Sequence, residues 1–380
     1  MTHESILDQE QWFYRDENQR LRKERKIAQK TDRSKYRKSD QDAKEKHDEL
    51  DRQDSPYQGR VLEIRAGDIF VYCTRSPDET EIGQIIQCHI KGSFKSQRQR
   101  TKNLVAVGDH IHYDYDPTHK AGQICYIETR KSLLSRGDNL NHSKEQILAT
   151  NVDLLIISFS LFKPTLSPVL IDRFLIAAKR GNMKPIVVVT KNDLFDNPSI
   201  SDNLKEQEEA KRDFILETYP KLGVEVVIWQ KGDKAALATL ESLIGSQTCV
   251  FSGPSGVGKS TLISELTGQN QRSLPVCHKT GLGSHATTHA KIIPLQAGGW
   301  CVDTPGIRSF ALWEVDLESI NDYFDEIARE GAFCQFRNCK HLDEPGCHVK
   351  EAVEKGIITP SRYESYLNLV QELQQEHLRR

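Results

Sequence analysis

The segment Gly253–Ser260 limits the possible folds of this chain more than any other part of it. Its sequence, GPSGVGKS, fits the pattern GxxxxGK[ST] at every fixed position. The segment follows an apolar run that we predict to be a strand, Thr248–Ser252, and precedes a predicted helix, Thr261–Leu266. A loop of this kind between a strand and a helix binds phosphate groups, and it occurs in folds built around a parallel sheet.

Each residue type in this loop has a role in phosphate binding. Glycines allow the backbone to approach the phosphates and to turn its N–H groups towards them. Lys259 reaches the β- and γ-phosphates, and the Ser260 hydroxyl is a ligand of Mg²⁺. We therefore predict that a nucleoside triphosphate is bound by the loop and the residue after it: Gly253, Pro254, Ser255, Gly256, Val257, Gly258, Lys259, Ser260 and Thr261.

Apolar runs alternate with a helical pattern in the part of the chain around this loop. The runs Val152–Ser160, Pro185–Thr190 and Trp300–Val302 are strand-like, and Pro168–Arg180 has helical spacing. This alternation is typical of a parallel sheet that helices cover on both faces. Ligands of such sheets bind at the carboxyl ends of the strands, and two further motifs lie at such ends.

The first of these motifs is the sequence DTPG, residues 303–306, which follows the run Trp300–Val302. A carboxylate at this place can hold the ligand shell of Mg²⁺, and the Gly306 N–H can meet a γ-phosphate. By itself this tetrapeptide is more often a plain turn. Its position after an apolar strand and beyond the phosphate loop makes Asp303 and Gly306 predicted parts of the nucleotide site.

The second motif is TKND, which ends the run Pro185–Thr190 and resembles the guanine-specificity motif NKxD. The Asp193 carboxylate can accept two hydrogen bonds from guanine, one from N1–H and one from the 2-amino group. Adenine lacks this pair of donors and would leave the carboxylate unpaired. The Lys191 stem can pack along the base. We therefore predict a guanine site that contains Thr190, Lys191, Asn192 and Asp193.

The order of the three motifs along the chain is unusual. The base motif comes first, the phosphate loop second and DTPG last, whereas the base motif comes last in ordinary GTPases. A parallel sheet tolerates such a circular permutation because its site depends on strand ends and not on chain order. The permutation leaves DTPG leading directly into the C-terminal region, so movement there on hydrolysis can be passed to that region.

Three cysteines and a histidine lie close together beyond DTPG, with the spacing Cys334-x4-Cys339-x-His341-x5-Cys347. Three thiolates and one imidazole suit a tetrahedral, structural Zn²⁺ ion. The residues between His341 and Cys347 include a turn that can bring Cys347 back to the other ligands. On residue types alone, His348 is an alternative nitrogen ligand.

Residues 57–135 contain short β-rich runs separated by turn signals, which predict a small closed barrel. An OB-fold, which commonly binds oligonucleotides, and an SH3-like barrel would look alike at this level. Residues 1–56 are very polar, and we predict a flexible arm there. Two basic runs, Arg20–Lys38 and Lys91–Lys102, indicate either solvated surfaces or a polyanionic partner.

The composition sets limits on the class and location of the protein. Hydrophobic residues make up 37% and charged residues 28% of the 380 residues, as in soluble globular proteins. No apolar run approaches the roughly 20 residues that span a bilayer, and the N-terminus is too polar for a secretory signal. We expect a cytoplasmic protein without membrane contact, whose nine cysteines are thiols or metal ligands.

Together, these motifs resemble one known family, the circularly permuted GTPases that depend on the small ribosomal subunit. The resemblance covers about residues 58–370 and includes the barrel, the phosphate loop, DTPG and the cysteine cluster. It implies an OB-fold barrel (57–135) after the arm (1–56), an α/β circularly permuted P-loop GTPase domain (136–318), and an α-helical zinc-binding domain (319–380). It also favours His341 over His348 as the fourth zinc ligand.

The same resemblance implies an activity and a set of partners. The family hydrolyses GTP to GDP and phosphate, is stimulated by the 30S ribosomal subunit, and assists late maturation of that subunit. We therefore expect this chain to bind the 30S subunit and its 16S rRNA, together with GTP and GDP. We also expect one Zn²⁺ ion, Mg²⁺ bound with GTP, and a monomeric protein.

The segment Gly283–Thr288, GSHATT, is similar to the family sequence GRHTTT and departs from it at Ser284 and Ala286. The family uses one threonine here as a Mg²⁺ ligand when the γ-phosphate is present. Ala286 excludes the first position and leaves Thr287 and Thr288 as alternatives, both predicted to bind GTP. Many GTPases position the attacking water with a glutamine where this chain has Ile307. The resemblance points to His285 as the catalytic residue instead.

Two other functions fit part of the sequence. A P-loop kinase or ATPase of a small molecule would prefer ATP, and TKND and DTPG argue against it. A passive RNA-binding module without turnover would not need the intact Lys259, Ser260 and Asp303. Nucleotide competition separates the first alternative from a GTPase, and hydrolysis with and without 30S subunits separates the second.

Overall fold

The computed structural model of the protein describes residues 55–65, 67–90, 104–137, 145–164, 166–268, 290–303, 317 and 319–379. The predictions for residues 1–54, for Lys91–Lys102, for Gly283–Thr288, and for Gly306 and Ile307 concern residues outside this set. The domain limits given above therefore stay predictions, and the elements below are given with their observed bounds.

A barrel of five strands forms the first part of the fold, with β1 pairing antiparallel to both β2 and β4. β3 is antiparallel to β2 and parallel to β5, and β5 returns antiparallel to β4, which closes the ring. This is an OB-like arrangement, as predicted. The strands are β1 (Tyr57–Arg65), β2 (Asp68–Arg75), β3 (Ile85–Ile90), β4 (His110–Asp116) and β5 (Ala121–Ile127).

A hairpin of β6 (Leu133–Gly137) and β7 (Glu145–Thr150) leads from the barrel to a six-stranded sheet. The sheet has the spatial order β10-β9-β8-β11-β13-β12, and all neighbours are parallel except β12, which is antiparallel to β13. Its strands are β8 (Leu154–Ser160), β9 (Lys184–Thr190), β10 (Glu225–Ile228), β11 (Thr248–Ser252), β12 (Lys291–Pro294) and β13 (Trp300–Asp303).

Helices cover both faces of this sheet, as the apolar strands predict. Phe174 of α1 and Tyr219 of α2 belong to one buried cluster, and Leu240 of α3 and Leu262 of α4 belong to another. Every residue of β8 is buried because helices lie on both of its sides. The helices are α1 (Pro168–Arg180), α2 (Asp202–Lys221), α3 (Lys234–Ile244) and α4 (Lys259–Thr267).

The barrel and the parallel sheet are joined by backbone pairing at β12. This strand pairs with β13 on one side, and it pairs with β1 of the barrel on the other, where Lys291 lies opposite Glu63. The sequence did not predict this pairing. It covers an edge that would otherwise be open to other chains, and it ties the barrel to the strand next to DTPG.

The C-terminal region consists of three helices, α5 (Asp325–Gly331), α6 (His348–Glu354) and α7 (Pro360–Arg379). Their apolar side chains form one buried cluster, which also includes Ile176 of α1. The region therefore packs on α1 of the parallel sheet domain. Across the described ranges, no helix is both long and apolar enough to cross a membrane.

Candidate nucleotide site and metal centre

The carboxyl ends of four parallel strands lie along one edge of the sheet. β11 is flanked by β13 and β8, and β9 lies beyond β8. Thr190 ends β9, Gly253 follows β11, and Asp303 ends β13. Thr190, the phosphate loop and Asp303 therefore lie at this edge even though they are far apart in the chain, as the permuted order requires.

The phosphate loop between β11 and α4 can be built only with glycines at particular positions. Gly253 has φ +134°, and a Cβ atom there would lie 2.1 Å from the carbonyl oxygen of Ser158 in β8. Gly256 and Gly258 also have positive φ values, +80° and +95°. Side chains are disfavoured in this region of backbone space, which explains why the pattern requires glycine at positions 253 and 258.

Lys259 is the first residue of α4, and its side chain folds back over the loop. Its ammonium group donates hydrogen bonds to the carbonyl oxygens of Gly253, at 2.7 Å, and Pro254, at 2.5 Å. These contacts hold the positive charge beside the loop backbone. A bound phosphate would therefore meet a cation that is already in place next to a helix N-terminus.

Thr190, which stands where the motif NKxD has asparagine, connects the base motif to the phosphate loop. Its side chain is buried, and its hydroxyl lies within hydrogen-bonding distance of the carbonyl oxygens of Val257, at 2.6 Å, and Phe159, at 3.0 Å. Val257 belongs to the phosphate loop and Phe159 to β8. The threonine thus links three segments of the site.

The other base-motif residues follow Thr190 in a sharp turn. Lys191 adopts the left-handed conformation, with φ +63°, and donates a hydrogen bond to the carbonyl oxygen of Lys163. Burial lowers the pKa of the Lys191 ammonium, and Asp193 opposes this shift. Asn192 and Asp193 begin a 3-10 turn, in which the Asp193 side chain is exposed and able to accept hydrogen bonds.

Asp303 is the last residue of β13, one residue later than the predicted strand end. Burial raises the pKa of its carboxyl group, and the ammonium of Lys291 opposes this rise. The Lys291 Nζ lies 3.8 Å from the Asp303 Oδ2. The sequence did not identify Lys291, because its only sequence signal is a lysine at the start of a short apolar run.

The residues at this edge provide suitable chemistry for Mg²⁺. The Ser260 hydroxyl and the Asp303 carboxylate are hard oxygen donors, the type that Mg²⁺ prefers together with phosphate oxygens and water. The remaining predicted residues, His285, Thr287, Thr288 and Gly306, lie outside the part of the chain that the structure describes.

The C-terminal region brings the four predicted zinc ligands together. The ligand atoms of Cys334, Cys339, His341 and Cys347 all lie within 4.8 Å of one another. The His341 Nδ1 is 3.6 Å from the Cys334 Sγ and 3.5 Å from the Cys347 Sγ, and the two sulfur atoms are 4.0 Å apart. Tetrahedral zinc with its usual bond lengths separates such atoms by about 3.5 to 3.8 Å. The cluster is therefore compatible with a structural Zn²⁺ ion.

The surroundings of the cluster distinguish between the two neighbouring histidines. His348 points elsewhere, with its Nδ1 3.2 Å from a carboxylate oxygen of Glu330. The Nε2 of His341 lies 3.5 Å from the Asn321 side chain, which accepts a hydrogen bond from the Tyr366 hydroxyl. Burial raises the pKa of the Cys339 thiol to about 12, so the thiolate form is disfavoured without a metal ion. Coordination of a metal ion would favour the thiolate and offset this effect.

Comparisons with known proteins agree with this geometry. Residues 127–313 match the RsgA GTPase family. The small ribosomal subunit biogenesis GTPase RsgA of Chlorobaculum parvum is 35% identical over 303 residues, which cover 78% of this chain and 93% of the relative. The protein of the same name from Haemophilus influenzae is 34% identical over 306 residues, which cover 80% of this chain and 83% of the relative.

Two solved structures share the fold. YjeQ from Thermotoga maritima superimposes with a TM-score of 0.64 at 29% identity, covering 83% of this chain and 98% of YjeQ. YloQ, described as a circularly permuted GTPase, gives a TM-score of 0.63 at 27% identity, covering 84% of this chain and 95% of YloQ. The protein is thus a circularly permuted P-loop GTPase, an enzyme that hydrolyses GTP. Within that class, the chain belongs to the RsgA GTPase family.

Proposed function

We propose that this protein binds the 30S ribosomal subunit and hydrolyses GTP to GDP and phosphate when that subunit stimulates it, in late maturation of the subunit. The relatives named above are small ribosomal subunit biogenesis GTPases, which supports the proposal. The observation that carries its nucleotide part is the contact between Thr190 and Val257, because this contact joins a guanine motif to a phosphate loop.

The nucleotide site assigns separate tasks to its residues. Asp193 reads guanine, Lys259 and the loop N–H groups hold the phosphates, and Gly306 meets the γ-phosphate. Ser260 and Asp303, with Thr287 or Thr288, would hold a Mg²⁺ ion, which would neutralise charge on the β- and γ-phosphates. Lys259 moves from the loop carbonyls to the phosphates, because a phosphate is the stronger acceptor for an ammonium group.

His285 positions the attacking water in this proposal. Ile307 has no polar atom with which to do so, and an imidazole can orient or deprotonate water near neutral pH. Zn²⁺ on Cys334, Cys339, His341 and Cys347 has a structural role, since the four ligands leave no open position. The barrel and the zinc-binding region contact the 16S rRNA, and the protein acts as a cytoplasmic monomer.

Measurement of GTP turnover with and without purified 30S subunits tests the proposal. We expect strong stimulation by 30S subunits and none by 50S subunits. A separate displacement experiment tests the preference for guanine over adenine. GTP should displace a bound fluorescent guanine nucleotide, and ATP should not. Equal turnover with and without 30S subunits would contradict stimulation by this subunit, and the protein would then be a GTPase with a different partner.

The role of His285 can be tested in the same assay. We expect His285→Ala to reduce stimulated turnover by about two orders of magnitude, the usual contribution of acid–base groups, and to leave GTP affinity nearly unchanged. His289→Ala is a matched control from the same segment and should behave like the natural protein. Undiminished turnover in His285→Ala would rule out this role.

A further inference from the structure

Lys291 occupies a point where three parts of the molecule meet. It is the first residue of β12, and it lies directly opposite Asp303 of β13. On the other side of β12 it lies opposite Glu63 of the barrel. Because backbone pairing on both sides determines the position of Lys291, its side chain starts from a well-defined place.

The contact between Lys291 and Asp303 is sheltered from water. Their side chains are 14% and 22% exposed, and the Nζ–Oδ2 distance is 3.8 Å. A carboxylate in such a place loses hydration, and a nearby ammonium group compensates for the loss. Attraction at this distance is stronger than between two fully solvated groups, because little water screens it. Lys291 therefore stabilises the charged form of Asp303.

The same ammonium group lies beside the carboxylate that we expect to hold the Mg²⁺ shell. Two cations that share one carboxylate repel each other, and poor screening strengthens this repulsion. Because β12 is paired with β13 and β1, the backbone of Lys291 stays beside Asp303, and rotation of the side chain can only partly separate its ammonium group from a bound metal ion. Loading of the metal ion must therefore work against a cation that is already in place.

We propose that Lys291 is a built-in counter-cation of Asp303, which stabilises this carboxylate in the Mg²⁺-free site and weakens Mg²⁺ binding in the nucleotide-bound site. Lys291 is a positioning residue in this role, because it acts through Asp303 and not on the nucleotide. The inference rests on the proposed function, in which Asp303 holds Mg²⁺. It adds that this chain sets its Mg²⁺ requirement with a residue outside the nucleotide-binding motifs.

Release of fluorescent N-methylanthraniloyl-GDP at graded free Mg²⁺ concentrations tests the proposal in the full-length protein. Mg²⁺ bound with GDP should slow its release. We expect Lys291→Met to lower the Mg²⁺ concentration at which this slowing is half-maximal by about three- to tenfold, which corresponds to roughly 0.6 to 1.4 kcal/mol in the free energy of Mg²⁺ binding. Lys291→Arg keeps the positive charge and should behave like the natural protein.

Lys184→Met is the matched control, because Lys184 is also the first residue of a strand in this sheet but is exposed. Lys184→Met should leave the midpoint, which is the Mg²⁺ concentration of half-maximal effect on GDP release, unchanged. GDP affinity without Mg²⁺ should be similar in all variants. An unchanged or raised midpoint in Lys291→Met would overturn the proposal while leaving the proposed function intact. If the natural protein showed no effect of Mg²⁺ on GDP release, the Mg²⁺ site itself and this inference would both fail.

Discussion

The two regions that flank the nucleotide domain are attached to it through buried arginines with opposite electrostatic surroundings. Arg60 lies between the barrel and the parallel sheet and is 7% exposed, and Arg362 lies between α7 and α1 and is 5% exposed. Burial lowers the pKa of Arg60, and Asp153 only partly opposes this. Burial also acts to lower the pKa of Arg362, but Asp172 and Glu326 outweigh it and raise the pKa above its ordinary value.

At the C-terminal junction the positive charge is fully paired. Arg362 lies 2.5 Å from the Asp172 Oδ1 and 2.6 Å from the Glu326 Oε1, with its guanidinium 4.5 Å from the centre of the Phe324 ring. The Tyr219 hydroxyl, 3.1 Å away, donates a further hydrogen bond to Asp172. Side-chain ion pairs of this kind connect α1 and α2 to the C-terminal helices.

At the barrel junction the connection consists of backbone pairing and apolar packing, in which Leu62 belongs to the same buried cluster as Val302 of β13. Arg60 donates a hydrogen bond to the Asn151 carbonyl oxygen, at 3.2 Å, and lies 5.9 Å from the centre of a Trp300 ring. The pairing of Glu63 with Lys291 continues the sheet from one region into the other. The difference indicates that the barrel is connected to the strands of the nucleotide site, whereas the C-terminal region is attached to a covering helix.

Loss of zinc should have the largest effect and should be confined to the C-terminal side. Structural zinc contributes about 10 kcal/mol or more to the folding of small domains, so Cys347→Ser should unfold α5 to α7. Zinc content and far-ultraviolet circular dichroism measure the loss, and fluorescent GDP binding shows that the nucleotide site persists. Cys125→Ser, in the barrel strand β5, should retain the zinc. Full helix content without zinc would contradict a structural role for the ion.

Removal of the paired arginine should have the next largest effect. Arg362→Met leaves Asp172 buried without its counter-charge, a change that costs about 3 to 5 kcal/mol of the free energy of unfolding. Urea denaturation followed by circular dichroism measures it. Arg329→Met, an exposed position on α5, is the control and should change stability by about 0.5 kcal/mol or less. A small effect in Arg362→Met would show that the ion pairs of Arg362 contribute little to this junction.

The cost of Arg362→Met should also depend on pH. Burial raises the pKa of the Asp172 carboxyl group, and Arg362 is the main influence that opposes the rise. Without Arg362 the folded-state pKa lies further above the unfolded value of about 3.9, so the folded protein binds the proton more tightly and loses stability as pH rises. Arg362→Met should therefore be closer to the natural protein in stability at about pH 5 than at about pH 8.

A second variant isolates the group responsible for this pH dependence. An asparagine side chain cannot ionise, so Asp172→Asn combined with Arg362→Met should remove the extra pH dependence. Paired urea denaturation curves at the two pH values provide the comparison. The same stability deficit at both pH values in the single variant would mean that Asp172 is not the group that responds.

Substitution of the barrel arginine should have the smallest effect. Arg60→Met removes a buried charge that has a carbonyl oxygen and a ring as its described contacts, and the desolvation cost of that charge disappears with it. We expect a change in the free energy of unfolding of about 1 kcal/mol or less in the same urea experiment. A loss as large as that in Arg362→Met would remove the distinction between the two junctions.

Local sequence patterns predicted the elements that carry the chemistry. The phosphate loop, the strand ends at Thr190 and Asp303, and the cysteine–histidine spacing each lie within a short stretch of chain. Their geometry depends on nearby residues, such as the positive-φ glycines at 253, 256 and 258. The closed barrel was also predictable from short strands and turns, but its OB-like form came only from the family resemblance, because strand patterns alone do not show which strands become neighbours.

The sequence by itself therefore determined a guanine-nucleotide site on a permuted parallel sheet, a barrel before it and a cysteine–histidine cluster after it. Only the tertiary structure decided that Lys291 faces Asp303, that β12 joins the barrel, and that Asp172 meets Arg362. The physical reason is distance along the chain. Motif residues are placed by the local backbone, whereas ion pairs and strand neighbours between remote segments depend on how the whole core packs.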